Sequence, residues 1–128
     1  MTAAPKHAAE YGTRARRALL VRRVGHYLRT HPNKLELVKI PDRKINGKVE
    51  KVRGYYFPTT EGIHLDYTDA IIPTILHECM HHYHPEWDEA RVVREESIVV
   101  ATLSKADAIK LVELIAKYVK KPKKVKRK

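Results

Sequence analysis

The chain has 128 residues, 43% hydrophobic and 32% charged, the balance of one soluble globular domain with a modest core. No apolar run approaches the roughly 18 residues that span a bilayer. Met1–Glu10 lack the apolar stretch of a secretory signal, and the single cysteine, Cys79, excludes an intrachain disulfide, which fits a reducing cytoplasm. The formal net charge is +11 and the pI near 9.8, an excess that favours nucleic acid or another acidic surface as a partner.

Residues 1–7 carry no periodic pattern and are expected to be disordered. From Ala8 to about Thr30 the spacing predicts a helix, with Leu20, Val24, Tyr27 and Leu28 at i, i+4, i+7 and i+8 on one face. Arg14, Arg16, Arg17, Arg22, Arg23 and Arg29 fall mostly elsewhere on the wheel. Pro32 pushes His31 away from the α region and ends the helix. Leu35–Ile40 reads as a strand. Asn46-Gly47 is a strong type I′ hairpin signal, joining a strand near Arg43–Ile45 to one over Lys48–Phe57. After a loop at residues 58–62, Ile63-His64-Leu65 reads as a short strand at the edge of a small, mostly antiparallel sheet.

Helical pattern returns at Thr68 or Asp69 and runs to Tyr83, with Asp66 or Thr68 as cap and Pro73 in the first turns, where a missing N–H is tolerated. His84-Pro85 stops it. A further helix runs from Glu86–Glu89 to Leu103. Ser104 and Asp107 then open a last helix to about Tyr118, with Ala108, Leu111, Val112 and Ile115 as its apolar stripe. Lys120, Lys121, Lys123, Lys124, Lys126, Arg127 and Lys128 form a basic tail over residues 120–128, expected to be disordered and suited to nucleic acid. Residues 8–119 thus read as one α+β domain: an N-terminal helix, a small sheet, then three helices.

The chemistry concentrates at His77-Glu78-Cys79-Met80-His81. Positions i and i+4 lie one turn apart on one helix face. Two imidazoles there can converge on Zn²⁺ at roughly 2.0–2.1 Å. Glu78, roughly 100° round the helix from His77, lies beside the metal, placed to take a proton from a zinc-activated water. A third protein ligand is required if one position is to stay open for water. The tight turn at Pro85 runs the next helix back alongside, which brings residues 92–96 level with the motif. Glu96 is preferred as ligand, because Val92, Val93, Val99 and Val100 surround it at i−4, i−3, i+3 and i+4 and aim it inward. Glu95 and His84 are the alternates, and a buried ion pair with a basic residue of the N-terminal helix is the competing role for Glu96. His82 is expected to face solvent or substrate, and Cys79 to pack as a small buried residue. His64, Tyr67 and Tyr83 are candidates for polarising a substrate carbonyl or holding an oxyanion.

On these residues the chain resembles the HExxH zincin metallopeptidases. The segment Arg94-Glu95-Glu96-Ser97-Ile98-Val99-Val100-Ala101 is similar to the glutamate-bearing helix of gluzincins, especially compact ones of the ImmA/IrrE type, with Ser97 and Val100 replacing the usual Ala and Phe. Cys79-Met80-His81 and His84-Pro85-Glu86-Trp87 are more weakly similar to the SprT/Spartan group, DNA-linked proteases whose third ligand is a histidine. The resemblance covers roughly residues 55–103. It implies a minimal zincin-like domain, zinc as cofactor, and an edge strand at Ile63–Leu65 that pairs with an extended substrate by strand addition. The expectation is a zinc-dependent metallopeptidase acting on a protein or peptide near nucleic acid, cytoplasmic, or nuclear in a eukaryotic or viral-host setting. The alternative is a zinc-stabilised nucleic-acid-binding or regulatory protein without turnover.

Overall fold

A computed structural model describes residues 9–121, so the expectations for residues 1–7 and for the tail beyond Lys121 lie outside the described residues. The architecture is α+β. The elements in chain order are α1 (Arg14–Thr30), β1 (Leu35–Val38), β2 (Arg43–Ile45), β3 (Lys48–Glu50), β4 (Gly54–Phe57), β5 (Gly62–Asp66), α2 (Ile71–Tyr83), α3 (Glu89–Thr102) and α4 (Lys105–Tyr118).

The first helix begins later than its periodicity suggests. Thr13 is the N-cap, and its hydroxyl accepts from the Arg16 amide. Tyr11, just ahead of it, is fully buried, and the adjacent Glu10 and Tyr11 amides both donate to the Glu95 carboxylate, at 3.0 and 3.1 Å. The chain therefore enters the core before it turns helical. α1 buries the expected face through Leu20, Val24, Tyr27 and Leu28, with Val21 and Gly25.

The strands form two units. Asn46 and Gly47 both take positive φ, 52° and 77°, so the β2–β3 hairpin closes as Asn-Gly dictates. This ribbon is separate from a three-stranded sheet ordered β1–β5–β4, in which β5 pairs parallel with β1 and antiparallel with β4. The stretch expected as one strand over Lys48–Phe57 is thus two, β3 and β4, which belong to different sheets. A second expectation is corrected here: Ile63–Leu65 lies at the centre of its sheet, and β4 is an edge. Four of the five β5 residues are buried, which an edge position would not permit. Gly54 lets β4 approach α2, since a Cβ there would lie 2.7 Å from the Thr74 methyl and 2.8 Å from the His64 carbonyl.

α2 is the central element. It packs on β4 and β5 and against α1 and α3, with Ile75, Leu76, Cys79 and Met80 fully buried. It starts at Ile71 after Ala70, without a side-chain cap, so neither Asp66 nor Thr68 caps it. Asp66 instead accepts from the Ile40 and Thr68 amides and the Thr68 hydroxyl, at 3.0, 2.8 and 2.5 Å, and locks the turn after β5. Pro73 falls in the first turn, as expected. Asp88 and Ser104 cap α3 and α4 by accepting from the Arg91 and Asp107 amides. α4 buries Leu111 and Ile115 but leaves Val112 exposed, and packs mainly on α1. Beyond it the Lys120 amide donates to the Leu35 carbonyl, which holds the first residue of the basic tail against β1. Among the described residues no helix is long and apolar enough to cross a membrane.

Candidate metal centre

His77 and His81 sit on the same face of α2, and their Nε2 atoms lie 3.3 Å apart. Ligand atoms of His77, Glu78 and His81 all fall within 4.8 Å of one another. The third group at this focus comes from the start of α3. One Glu89 oxygen is 2.7 Å from His77 Nε2 and the other 2.9 Å from His81 Nε2. One carboxylate therefore spans both imidazoles.

Glu96 meets His77 from the other side: its carboxylate is 3.2 Å from Nδ1 and also accepts from Arg53 at 2.9 Å. Glu89, Val92 and Glu96 share one face of α3 at i, i+3 and i+7. The pairing of His77 with Glu96 and of His81 with Glu89 runs α3 back antiparallel along α2. The level of Glu96 on that helix is thus as expected, but it faces the wrong nitrogen to join His81. With the Nδ1–H donating to Glu96, the Nε2 lone pair of His77 points at the focus, the arrangement that orients metal-binding histidines. The basic partner of Glu96 is Arg53, ahead of β4, and not a residue of α1.

The other candidates are placed elsewhere. Glu95 is fully buried and turned away from the motif, where it holds the Glu10 and Tyr11 amides. His84 stacks on Trp87, with ring centroids 3.7 Å apart, and its Nε2 lies 2.7 Å from the Tyr11 hydroxyl. His64 pairs with Glu36 at 2.8 Å and rests against Phe57. The Tyr83 hydroxyl donates to the Arg23 carbonyl, and Tyr67 is exposed. None of these four, His84, His64, Tyr83 or Tyr67, lines the cavity at the motif. His82 does line it, and the Tyr56 hydroxyl lies 2.8 Å from its Nδ1. Cys79 is fully buried, and burial pushes its thiol well above the ordinary range, which suits packing rather than ligation.

The cavity is about 820 Å³, open to solvent and floored by His77, Glu78, His81 and Glu89, with Tyr55, Tyr56 and Gly54 of β4 along one wall. Glu78 is 6% exposed, and burial pushes its carboxyl up to about 7. Burial works to lower His77, but the hydrogen bond to Glu96 and the charges of Glu78, Glu89 and Glu96 outweigh it and hold the imidazole above its ordinary value. Three carboxyl groups around one histidine, with Arg53 paired to Glu96, make a field that attracts a cation.

That donor set fits Zn²⁺: two imidazole nitrogens and a carboxylate converge, a further carboxylate orients one ring, and a carboxyl with an elevated pKa stands beside them. Glu89, Arg53 and Tyr56 escaped the sequence reading. The i, i+7 relation of Glu89 to Glu96 was the one available signal. No family model, no curated protein and no solved structure matches this chain.

Proposed function

We propose that this chain is a small zinc-dependent metallopeptidase, with His77, His81 and Glu89 as metal ligands, Glu78 as general base and acid, and Glu96 positioning His77. One observation carries the reading: two Nε2 atoms 3.3 Å apart face one carboxylate, at the floor of a cavity that also holds a buried Glu78. Without a cation between them, the two nitrogens and the carboxylate would depend on imidazole hydrogens alone to separate them.

Zn²⁺ at these ligands would supply Lewis-acid polarisation of a peptide carbonyl and an activated water at neutral pH. Glu78 provides the proton path. Its elevated pKa lets the carboxylate accept a proton from the attacking water and deliver it to the departing amine nitrogen near neutrality. The substrate class is an extended polypeptide. β4 is a sheet edge beside the cavity, so its backbone can take a further strand and bring a peptide bond across the motif. This moves the strand-addition role from Ile63–Leu65 to Gly54–Phe57. Buried Cys79 as the lone thiol fits a cytoplasmic setting.

The test is hydrolysis of a quenched-fluorescent peptide mixture by zinc-loaded protein. Glu78→Gln should keep the zinc and lose turnover. Equal cleavage by that variant would reject the mechanism.

A second reading has its own observation. Arg22, His26 and Arg29 are exposed at i, i+4 and i+7, a stripe along the outer face of α1. Arg16, Arg17 and Arg23 by contrast are engaged with Glu10, the Gly12 carbonyl and the Tyr11 hydroxyl. The stripe and the net charge support contact with nucleic acid, either delivering the peptidase to bound proteins or serving a non-catalytic binding protein stabilised by zinc. DNA binding that weakens steeply with salt and survives Glu78→Gln, together with no peptide cleavage by the wild type, would favour the latter.

A further inference from the structure

A second group of side chains able to ligate a metal borders the same cavity, which Glu61 and His82 also line. His31, the C-cap of α1, Glu61, in the β4–β5 turn, and His82, in the last turn of α2, bring ligand atoms within 4.8 Å of one another. His31 Nε2 is 2.8 Å from Glu61 Oε2, and His82 Nδ1 is 3.4 Å from the same oxygen.

The hydrogen bonding around this group identifies what it lacks. His31 Nδ1 is 2.9 Å from the Tyr27 carbonyl, which can only accept, and 3.0 Å from the Thr30 hydroxyl, whose own hydrogen goes to the His26 carbonyl at 2.7 Å, so Nδ1 carries a hydrogen. In a neutral ring Nε2 then presents a lone pair to the Glu61 carboxylate, which is also an acceptor. Tyr56 Oη, 2.8 Å from His82 Nδ1, is placed to donate to it, which leaves that nitrogen an acceptor as well. Three acceptors then meet with no hydrogen between them, an arrangement that a shared cation satisfies.

The surroundings hold these groups in place. Glu61 takes a left-handed φ of 58°, unusual for a side chain with a Cβ. Its carbonyl accepts from the Tyr27 hydroxyl and its amide donates to the Phe57 carbonyl, each at 2.6 Å. The His31 ring is stacked on Tyr27 at 4.5 Å and set edge-on to His82 at 5.0 Å. His31 and His82 are largely shielded from solvent, and Glu61 is half-exposed, so a cation has an entry path.

We infer that His31, Glu61 and His82 form a second binding site for a divalent transition cation, separate from the His77–His81–Glu89 centre. Two imidazoles and a carboxylate suit Zn²⁺, and Co²⁺ can replace it. Such an ion ties the end of α1, the β4–β5 turn and the end of α2 together, and so braces the wall of the cavity against the helix that carries the motif. This inference does not rest on peptidase activity.

The experiment is zinc stoichiometry after loading and desalting, with Co²⁺ absorption as a second readout, on four full-length forms: wild type, Glu61→Gln, the double variant His77→Asn/His81→Asn, and all three changes combined. Two ions per chain in the wild type, one in Glu61→Gln, one in the double variant and none in the combination would establish both sites. Circular dichroism on each form separates lost ligation from lost folding, and His31→Asn repeats the test from another element should Glu61→Gln unfold. One ion in the wild type that Glu61→Gln and His31→Asn both retain would overturn the second site. One ion that survives His77→Asn/His81→Asn and disappears with Glu61→Gln would uphold it and overturn the first.

Discussion

The two histidine–carboxylate clusters beside the cavity have the same donor types and different construction. At the His77–His81–Glu89 cluster, two donor groups are one turn apart on a single helix, and the third follows eight residues later on the helix that the Pro85 turn folds back. At the His31–Glu61–His82 cluster, the donors come from a helix end, a strand turn and another helix. The first is wrapped in further carboxylates, Glu78 and Glu96, and opens on the cavity floor. The second is braced by Tyr27 and Tyr56. The first therefore has a group able to move protons, and the second has groups that hold position. Two buried carboxylates elsewhere, Glu95 and Asp66, make the contrast sharper, because each is held by N–H or O–H donors with a basic side chain nearby, Arg94 or Lys39, and has no histidine beside it.

The largest expected effect is on catalysis. Glu78→Gln should lower peptide hydrolysis by about 10²–10⁴-fold, the usual worth of a general base, while zinc content at both clusters is unchanged. Loss of zinc from that variant would show that Glu78 is a ligand and undo the distinction between proton carrier and metal holder.

Next in size is the order of the two α3 carboxylates. Glu96→Gln should weaken zinc binding at His77–His81 by about 10–100-fold, as expected for a group that orients a ligand, and Glu89→Gln should weaken it more. Competition with a chromophoric chelator measures both. The reverse order would return the ligand role to Glu96.

Glu95→Ala should leave zinc stoichiometry untouched and cost about 1–3 kcal/mol of stability, since two amides, one of them buried, lose their acceptor. Denaturant melts read the cost. A fall in zinc affinity to match Glu96→Gln would mean that the two faces of α3 are not independent.

The smallest effect is at Asp66. The Thr68 hydroxyl and amide, with the Ile40 amide and Lys39, overcome the opposing effect of burial and hold its carboxyl well below the ordinary range. A carboxylate depressed in the folded state stabilises the protein above the unfolded-state pKa, and that contribution is lost as pH falls through the folded-state value. Asp66→Asn should therefore lower Tm at neutral pH, with the deficit shrinking in acid. A deficit independent of pH would mean that shape, and not charge, holds the turn after β5.

Local pattern was enough for much of this molecule. The i, i+4 histidines, the apolar stripe of α1, the Asn-Gly turn and the cap at Ser104 are decided within a few residues, because helical and turn geometry repeat over that distance. That α3 returns beside the motif helix followed from Pro85 in the same way. The nitrogen that Glu96 would meet could not be read so. A carboxylate on α3 can reach either side of the His77 ring, and the rotation of one helix about its axis settles which, through packing at Val92 and the pull of Arg53 from the far end of the β4 approach. The central place of β5 was equally hidden, because parallel pairing with β1 depends on a connection of more than twenty residues, and nothing in Gly62–Asp66 itself specifies a second neighbour. Spacing along the chain determined the chemistry available on α2. The docking of α1, α3 and the β4–β5 turn around that helix decided which of eight histidines and fifteen acids share a focus, since such meetings depend on distances in space that sequence separation does not encode.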